Sequence, residues 1–143
     1  MKDKPILVLD FDGVIHSYTS GWKGATVIPD PPVPGAIDFI REAAASFRVA
    51  IYSSRSRDPE ARKAMMLWLI ANGLPEVAFD AIDQAVYLEE VHEDFVPEPW
   101  HHAVYFPTEK PPALVTLDDR AITFTGVWPE IADLRAFKPW NKP

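Results

Sequence analysis

An α/β fold built on a mainly parallel sheet is what this sequence predicts, and three observations carry the expectation. Short apolar runs alternate with segments of helical period, in the order strand, helix, strand, helix over the first half of the chain. The clearest run, Ile6–Leu9, is apolar without interruption, as suits a strand buried on both faces. Three runs then end abruptly in polar residues: Asp10 and Asp12, Ser53 and Ser54, and Asp118 and Asp119. Open parallel sheets bind ligands beyond the carboxyl ends of their strands, so adjacent strands would gather these groups at one edge.

Taken in order, the first strand runs into Asp10-Phe11-Asp12-Gly13, with Gly13 ready to turn the chain away. Residues 13–34 show no sustained period and carry Gly21, Gly24, Tyr18 and Trp22, which predicts a loop lying over the strand end. Pro34-Gly35 introduces a helix over 36–47, where Ile37, Ile40 and Ala44 recur at helical spacing. Residues 49–52 form a second buried strand. Asp58-Pro59 places an N-cap before proline at the first helical position, and Asn72-Gly73 stops that helix. A helix over 81–95 is expected to turn Leu88, Val91 and Phe95 inward, within a variable insertion at 80–102. Short strands follow at 103–106 and 113–117, then a last strand at 121–125. A closing helix at 129–137 carries the stripe Ile131, Leu134, Phe137, and the tail from 138 to 143 is expected to be loose.

With 143 residues the chain suits one domain, here 1–137, and is short for two. Its 48% hydrophobic and 24% charged residues are an ordinary globular balance. No apolar run approaches the ~18 residues of a membrane span, and no secretory leader is visible, so cytoplasm is the default expectation. Zero cysteines exclude disulfides, thiolate metal sites and cysteine nucleophiles. A net charge of −7 argues against a non-specific grip on a nucleic-acid backbone. The fifteen prolines punctuate loops and form no repeat.

The chemistry starts from Asp10 and Asp12. Residues two apart in an extended chain share a face, about 7 Å apart at the Cα level. Like charges at ~4 Å and an effective dielectric near 20 repel by on the order of 4 kcal/mol. A divalent cation is the natural compensation. An EF-hand loop also opens with Asp-x-Asp, but it needs further oxygen ligands where this chain has Val14 and Ile15.

Asp10-Phe11-Asp12-Gly13-Val14 after a hydrophobic strand resembles the first motif of the haloacid dehalogenase (HAD) superfamily of phosphohydrolases. The resemblance implies a three-layer, Rossmann-like fold. It also implies a Mg²⁺-dependent phosphomonoester hydrolase working through an aspartyl-phosphate. In that pattern Asp10 falls on the nucleophile and Asp12 on the general acid/base, while Ser53 falls on the residue that binds phosphoryl oxygens. Lys110 falls on the third-motif lysine, although it lies only eight residues before Asp118. Asp118 and Asp119 complete a metal site with Asp10 and Asp12. Gly13, Ser54 and Arg55 join Ser53 and Lys110 in the expected substrate-binding set. Neither 13–34 nor 80–109 is long enough for a separate cap domain, so an open site is expected. Its candidates are small nucleotides, sugar phosphates or a nucleic-acid terminal phosphate.

Blander readings stand beside these. Ser53 and Ser54 suit a turn, Asp119-Arg120 a structural pair at the strand end, and Lys110 an ordinary surface lysine. His92, His101 and His102 fit no zinc spacing. The acidic run 89–94 suits a solvated face and Trp68 the core. Trp22, Tyr18 and His16 suit a gate over the site, with core packing equally open to Trp22. A phospho-accepting receiver would place its acceptor Asp where this chain has Ser53. A catalytically silent HAD-fold phosphate-binding or scaffold protein is the remaining alternative.

Overall fold

The computed structural model describes residues 4–92 and 100–142. Four parallel strands form the sheet: β1 (Ile6–Leu9), β2 (Arg48–Ile51), β3 (Val104–Tyr105) and β4 (Val115–Leu117), in the order β3-β2-β1-β4. Helices α1 (Ala36–Ala43), α2 (Pro59–Ala71), α3 (Ala81–Tyr87) and α4 (Ile131–Arg135) lie between or after them, with a 3₁₀ turn at Glu76–Ala78. The arrangement is Rossmann-like in its parallel order. None of the described helices is long and apolar enough to cross a membrane.

The register makes β1 the centre. Leu7 pairs with Val49 on one side and Val115 on the other, and Leu9 pairs with Ile51 and Leu117. From β1 the chain builds outward through β2 and β3, then crosses back to lay β4 on the opposite side. That reversal opens a crevice at the carboxyl ends of β1 and β4, where such sheets take their ligands. Leu7, Leu9, Val49, Ile51 and Val104 join Ile40 of α1 and Met65, Met66 and Leu69 of α2 in one buried cluster. Burying such side chains contributes roughly 1.5–3 kcal/mol each, which fixes the strands and so the loops at their ends.

Local signals set the helix limits. The Asp58 side chain accepts from the Glu60 backbone N–H at 2.9 Å, capping α2 ahead of Pro59. Gly73 at φ +113° ends it, in a conformation that favours glycine. Asp80 caps α3 in the same way, from Ile82 N at 2.7 Å.

Several expected elements are shorter. The helix expected over 36–47 ends at Ala43, because Ala45 and Ser46 donate back three residues in turns that lead into β2. The helix expected over 81–95 stops at Tyr87, and Glu89 at φ +61° breaks its path. Its expected inward residue Phe95 lies outside the described residues. The strand expected at 121–125 does not form. The Arg120 N–H donates to Asp118 Oδ1 at 2.8 Å, a turn that leads the chain off the sheet edge. The closing helix is confined to Ile131–Arg135, and its stripe of Ile131, Leu134 and Phe137 is exposed. The tail expected to be loose instead meets the site. Pro139 is buried, and the Trp140 indole donates to the Gly13 carbonyl at 2.8 Å.

Candidate functional site

β1 delivers Asp10 to the crevice, and the Asp10 N–H holds the Leu117 carbonyl at 3.0 Å, so the ends of β1 and β4 are pinned together. Behind Asp10 the chain closes a tight loop. The Ile15 and His16 N–H groups both donate to the Phe11 carbonyl at 2.9 Å, and Gly13 N donates to His16 O at 2.8 Å. Gly13 sits at φ +81°, and a β-carbon there would lie 2.8 Å from Asp119 Cγ and closer still to its Oδ2. Only glycine lets the two strand ends approach this closely.

Asp10, Asp118 and Asp119 consequently converge, with one carboxylate oxygen of each within 4.8 Å of the others. Burial, with added push from Asp118 and Asp119 and against the hydrogen bond from Phe11 N, raises the Asp10 pKa to about 8. The Asp119 side chain is 3% exposed, and its Oδ1 is buried without a hydrogen-bond partner among the described residues. An all-oxygen donor set, crowded carboxylates and an orphaned carboxylate oxygen fit a hard divalent cation.

Asp12 occupies a different setting. The Arg55 guanidinium grips it through Nε to Oδ2 at 2.9 Å and Nη2 to Oδ1 at 3.1 Å. His16 Nδ1 lies 2.9 Å from the same Oδ1. The Asp30 N–H donates to His16 Nε2 at 3.1 Å, so Nδ1 carries the ring hydrogen and gives it to Asp12. Burial alone would raise the Asp12 pKa. The hydrogen bonds from His16 and Arg55, with the guanidinium charge, outweigh it and hold the group below the ordinary carboxylate value.

Arg55, expected to touch substrate, is 1% exposed, and its donors are engaged within the protein. Beyond Asp12, Nη1 meets the carbonyls of Gly24 at 2.9 Å, Ala25 at 2.7 Å and Val27 at 3.2 Å. It thereby ties the 13–34 loop to the site, and exposed Trp22 lies over it, 4.7 Å from ring centroid to guanidinium carbon. His16 is wholly buried and part of this clamp, not of a gate. Trp68 is partly buried and meets Phe11 and His16 edge-on.

A cavity of about 520 Å³ opens over the carboxylates, walled by Asp10, Asp12, Tyr18, Tyr52, Ser53, Ser54, Asp118, Asp119 and Arg120. The sequence-predicted Asp10, Asp12, Ser53, Ser54, Asp118 and Asp119 therefore meet in one place. Lys110 does not line it and is exposed. The chain must return from Thr108 to Leu114, whose N–H meets the Ile6 carbonyl at the far end of β1, and Lys110 lies on that stretch. The cavity's cation is Arg120, its Nε 3.9 Å from Asp119 Oδ2.

Sequence reasoning missed Tyr52 and Asp30, and it took Arg120 as a structural partner of Asp119 and not as a cavity residue. Arg120 directly follows the acidic pair, a signal that was available. Asp30 reaches His16 through folding of the loop, which no spacing announces. A second group, Glu76, Glu90 and His92, also brings possible ligand atoms together, with His92 Nε2 paired to both carboxylates. No family model, curated protein or solved structure matches this chain.

Proposed function

We propose that this chain is a HAD-type, Mg²⁺-dependent phosphomonoester hydrolase whose nucleophile is Asp10. The observation that carries the reading is the convergence of Asp10, Asp118 and Asp119 beside Ser53 at the reversal of strand order. Asp10, Asp118 and Asp119, with the Asp12 backbone carbonyl, would hold Mg²⁺, which would neutralise charge so that an anionic phosphate can approach a carboxylate.

An Asp10 oxygen attacks phosphorus as the bond to the leaving oxygen breaks, giving an aspartyl-phosphate. The Ser53 hydroxyl, which accepts from Arg55 N at 3.1 Å, keeps its own hydrogen for a phosphoryl oxygen. Arg120, which also lines the cavity, adds a positive charge. Asp12, ionised in its clamp, serves directly as the base that removes a proton from the attacking water in the second step. As the acid of the first step it takes up a proton from solvent when the negative phosphate enters beside it, and passes that proton to the leaving oxygen. Among the described residues no separate domain covers the cavity. That suits a small phosphorylated molecule, a nucleotide or a nucleic-acid terminal phosphate.

Phosphate release from a panel of phosphomonoesters, with Mg²⁺ or with EDTA, tests the proposal in wild type and Asp10→Asn. Release that requires both Mg²⁺ and Asp10 supports it. Release that survives in Asp10→Asn refutes the covalent mechanism. The clamped Asp12, and a cavity that Lys110 does not line, are what favour a second reading, a catalytically silent phosphate-binding protein. Tight phosphate binding without turnover across the panel would select that reading.

A further inference from the structure

A second cavity, about 470 Å³, adjoins the first and is lined by Tyr52, Ser53, Ser54, Arg57 and Thr108. The two cavities share Tyr52, Ser53 and Ser54, so a ligand held at Ser53 in one extends naturally into the other. Their charges are opposite. Four carboxylates line the first, whereas among the described residues no Asp or Glu lines the second. Among the described residues Arg57 is the only charged one in its lining, and its guanidinium has no hydrogen bond or ion pair with any of them.

The neighbouring arginines are otherwise engaged. Arg55 is held by Asp12 and three carbonyls, Arg62 donates to Ser56 O and Tyr87 Oη, and Arg120 faces Asp119. An uncommitted guanidinium offers five N–H donors in a planar fork, and the Tyr52, Ser54 and Thr108 hydroxyls add three more. A donor-rich, carboxylate-free pocket complements an acceptor-only oxyanion, for which arginine's fork is well shaped.

We infer that this second cavity is a subsite for a second phosphate, monoester or diester, carried on the leaving group of the substrate. The inference rests on the proposed placement of the first phosphoryl group at Asp10 and Ser53. It narrows the substrate class to compounds with two phosphates bridged by a short organic spacer, such as a nucleoside bisphosphate or a phosphorylated oligonucleotide end.

The test is equilibrium binding, by calorimetry with Mg²⁺, to the full chain carrying Asp10→Asn, which removes turnover. The probes are adenosine 5′-monophosphate, adenosine 3′,5′-bisphosphate and a 3′-phosphorylated dinucleotide. At least one two-phosphate probe is expected to bind about tenfold tighter than the monophosphate, a typical gain for a charge-assisted contact. Adding Arg57→Gln should collapse that ratio to near one, and Arg57→Lys should restore part of it. Monophosphate binding in the same variants shows that the fold and the first cavity survive. An advantage confined to the bisphosphate identifies a free nucleotide as the source, and one confined to the dinucleotide identifies a polynucleotide end. Equal affinity for all three probes, or a ratio that persists in Arg57→Gln, overturns the subsite. Phosphate release by wild type is read separately. An Arg57-dependent ratio without release would sink hydrolysis and leave the subsite, and release without the ratio would do the reverse.

Discussion

Gly13→Ala probes the carboxylate cluster without removing any carboxylate. At φ +81° an alanine carries a left-handed penalty of about 1–2 kcal/mol. The new methyl would also lie 2.8 Å from Asp119 Cγ and 3.3 Å from its Cβ, where ordinary contact begins near 3.4 Å. Asp119 is 3% exposed and its backbone follows a strand pinned to β1, so its side chain must rotate away, by something on the order of 1 Å. The cation proposed for this cluster would lose an oxygen at its required distance, and its affinity should fall by about tenfold or more. Calorimetric titration with Mg²⁺, alongside thermal melting in EDTA, separates the two effects. The metal-free protein should melt a few degrees lower, in line with about 1–2 kcal/mol, while the Mg²⁺-induced rise in melting temperature should largely vanish. Wild-type Mg²⁺ affinity in Gly13→Ala would refute the claim that Asp119 closes the cation site against Gly13.

Other expectations follow from the same geometry. Arg55→Ala strands the Asp12 carboxylate in a half-buried position and frees the loop carbonyls, and loss of one partner of a buried pair costs about 3–5 kcal/mol. Chemical denaturation should show a loss of that size, with faster proteolysis at Lys23, and a loss below 1 kcal/mol would contradict the clamp. Asp83 has its pKa raised to about 6, by burial first and by Asp80, against the hydrogen bond from Phe106 N. An acid raised in the folded state favours folding below its unfolded value of 3.8, and that advantage is lost as pH rises through about 6. Asp83→Asn should therefore gain melting temperature relative to wild type at pH 8 more than at pH 4, and a pH-independent difference would count against it. Trp140→Phe removes the indole bond to the Gly13 carbonyl, and about 1 kcal/mol or less of stability should go with it, read as a small drop in melting temperature.

How much of this was legible in the sequence depends on what each feature needs. Strands β1 and β2 announce themselves because a strand buried on both faces must be apolar throughout, and Ile6–Leu9 and Arg48–Ile51 nearly are. The start of α2 was legible because Asp58-Pro59 caps a helix by local chemistry alone. The carboxylate cluster was legible for a topological reason: polar residues that end adjacent parallel strands arrive at the same edge. The strand expected at 121–125 failed because alternation in Ile122 and Phe124 says nothing of whether a ladder partner exists. Asp118 turns the chain off the sheet just before it. Arg55 failed as a substrate contact for a related reason. Its position next to Ser53 is local information, but its role is set by Asp12 and by loop carbonyls some thirty residues upstream in the chain. Sequence spacing reports which side chains leave the sheet together. Whether a side chain faces the ligand or is consumed by the protein is decided by segments distant in sequence, and that is why Arg57, two positions further on, emerges only once Arg55 is seen to be committed.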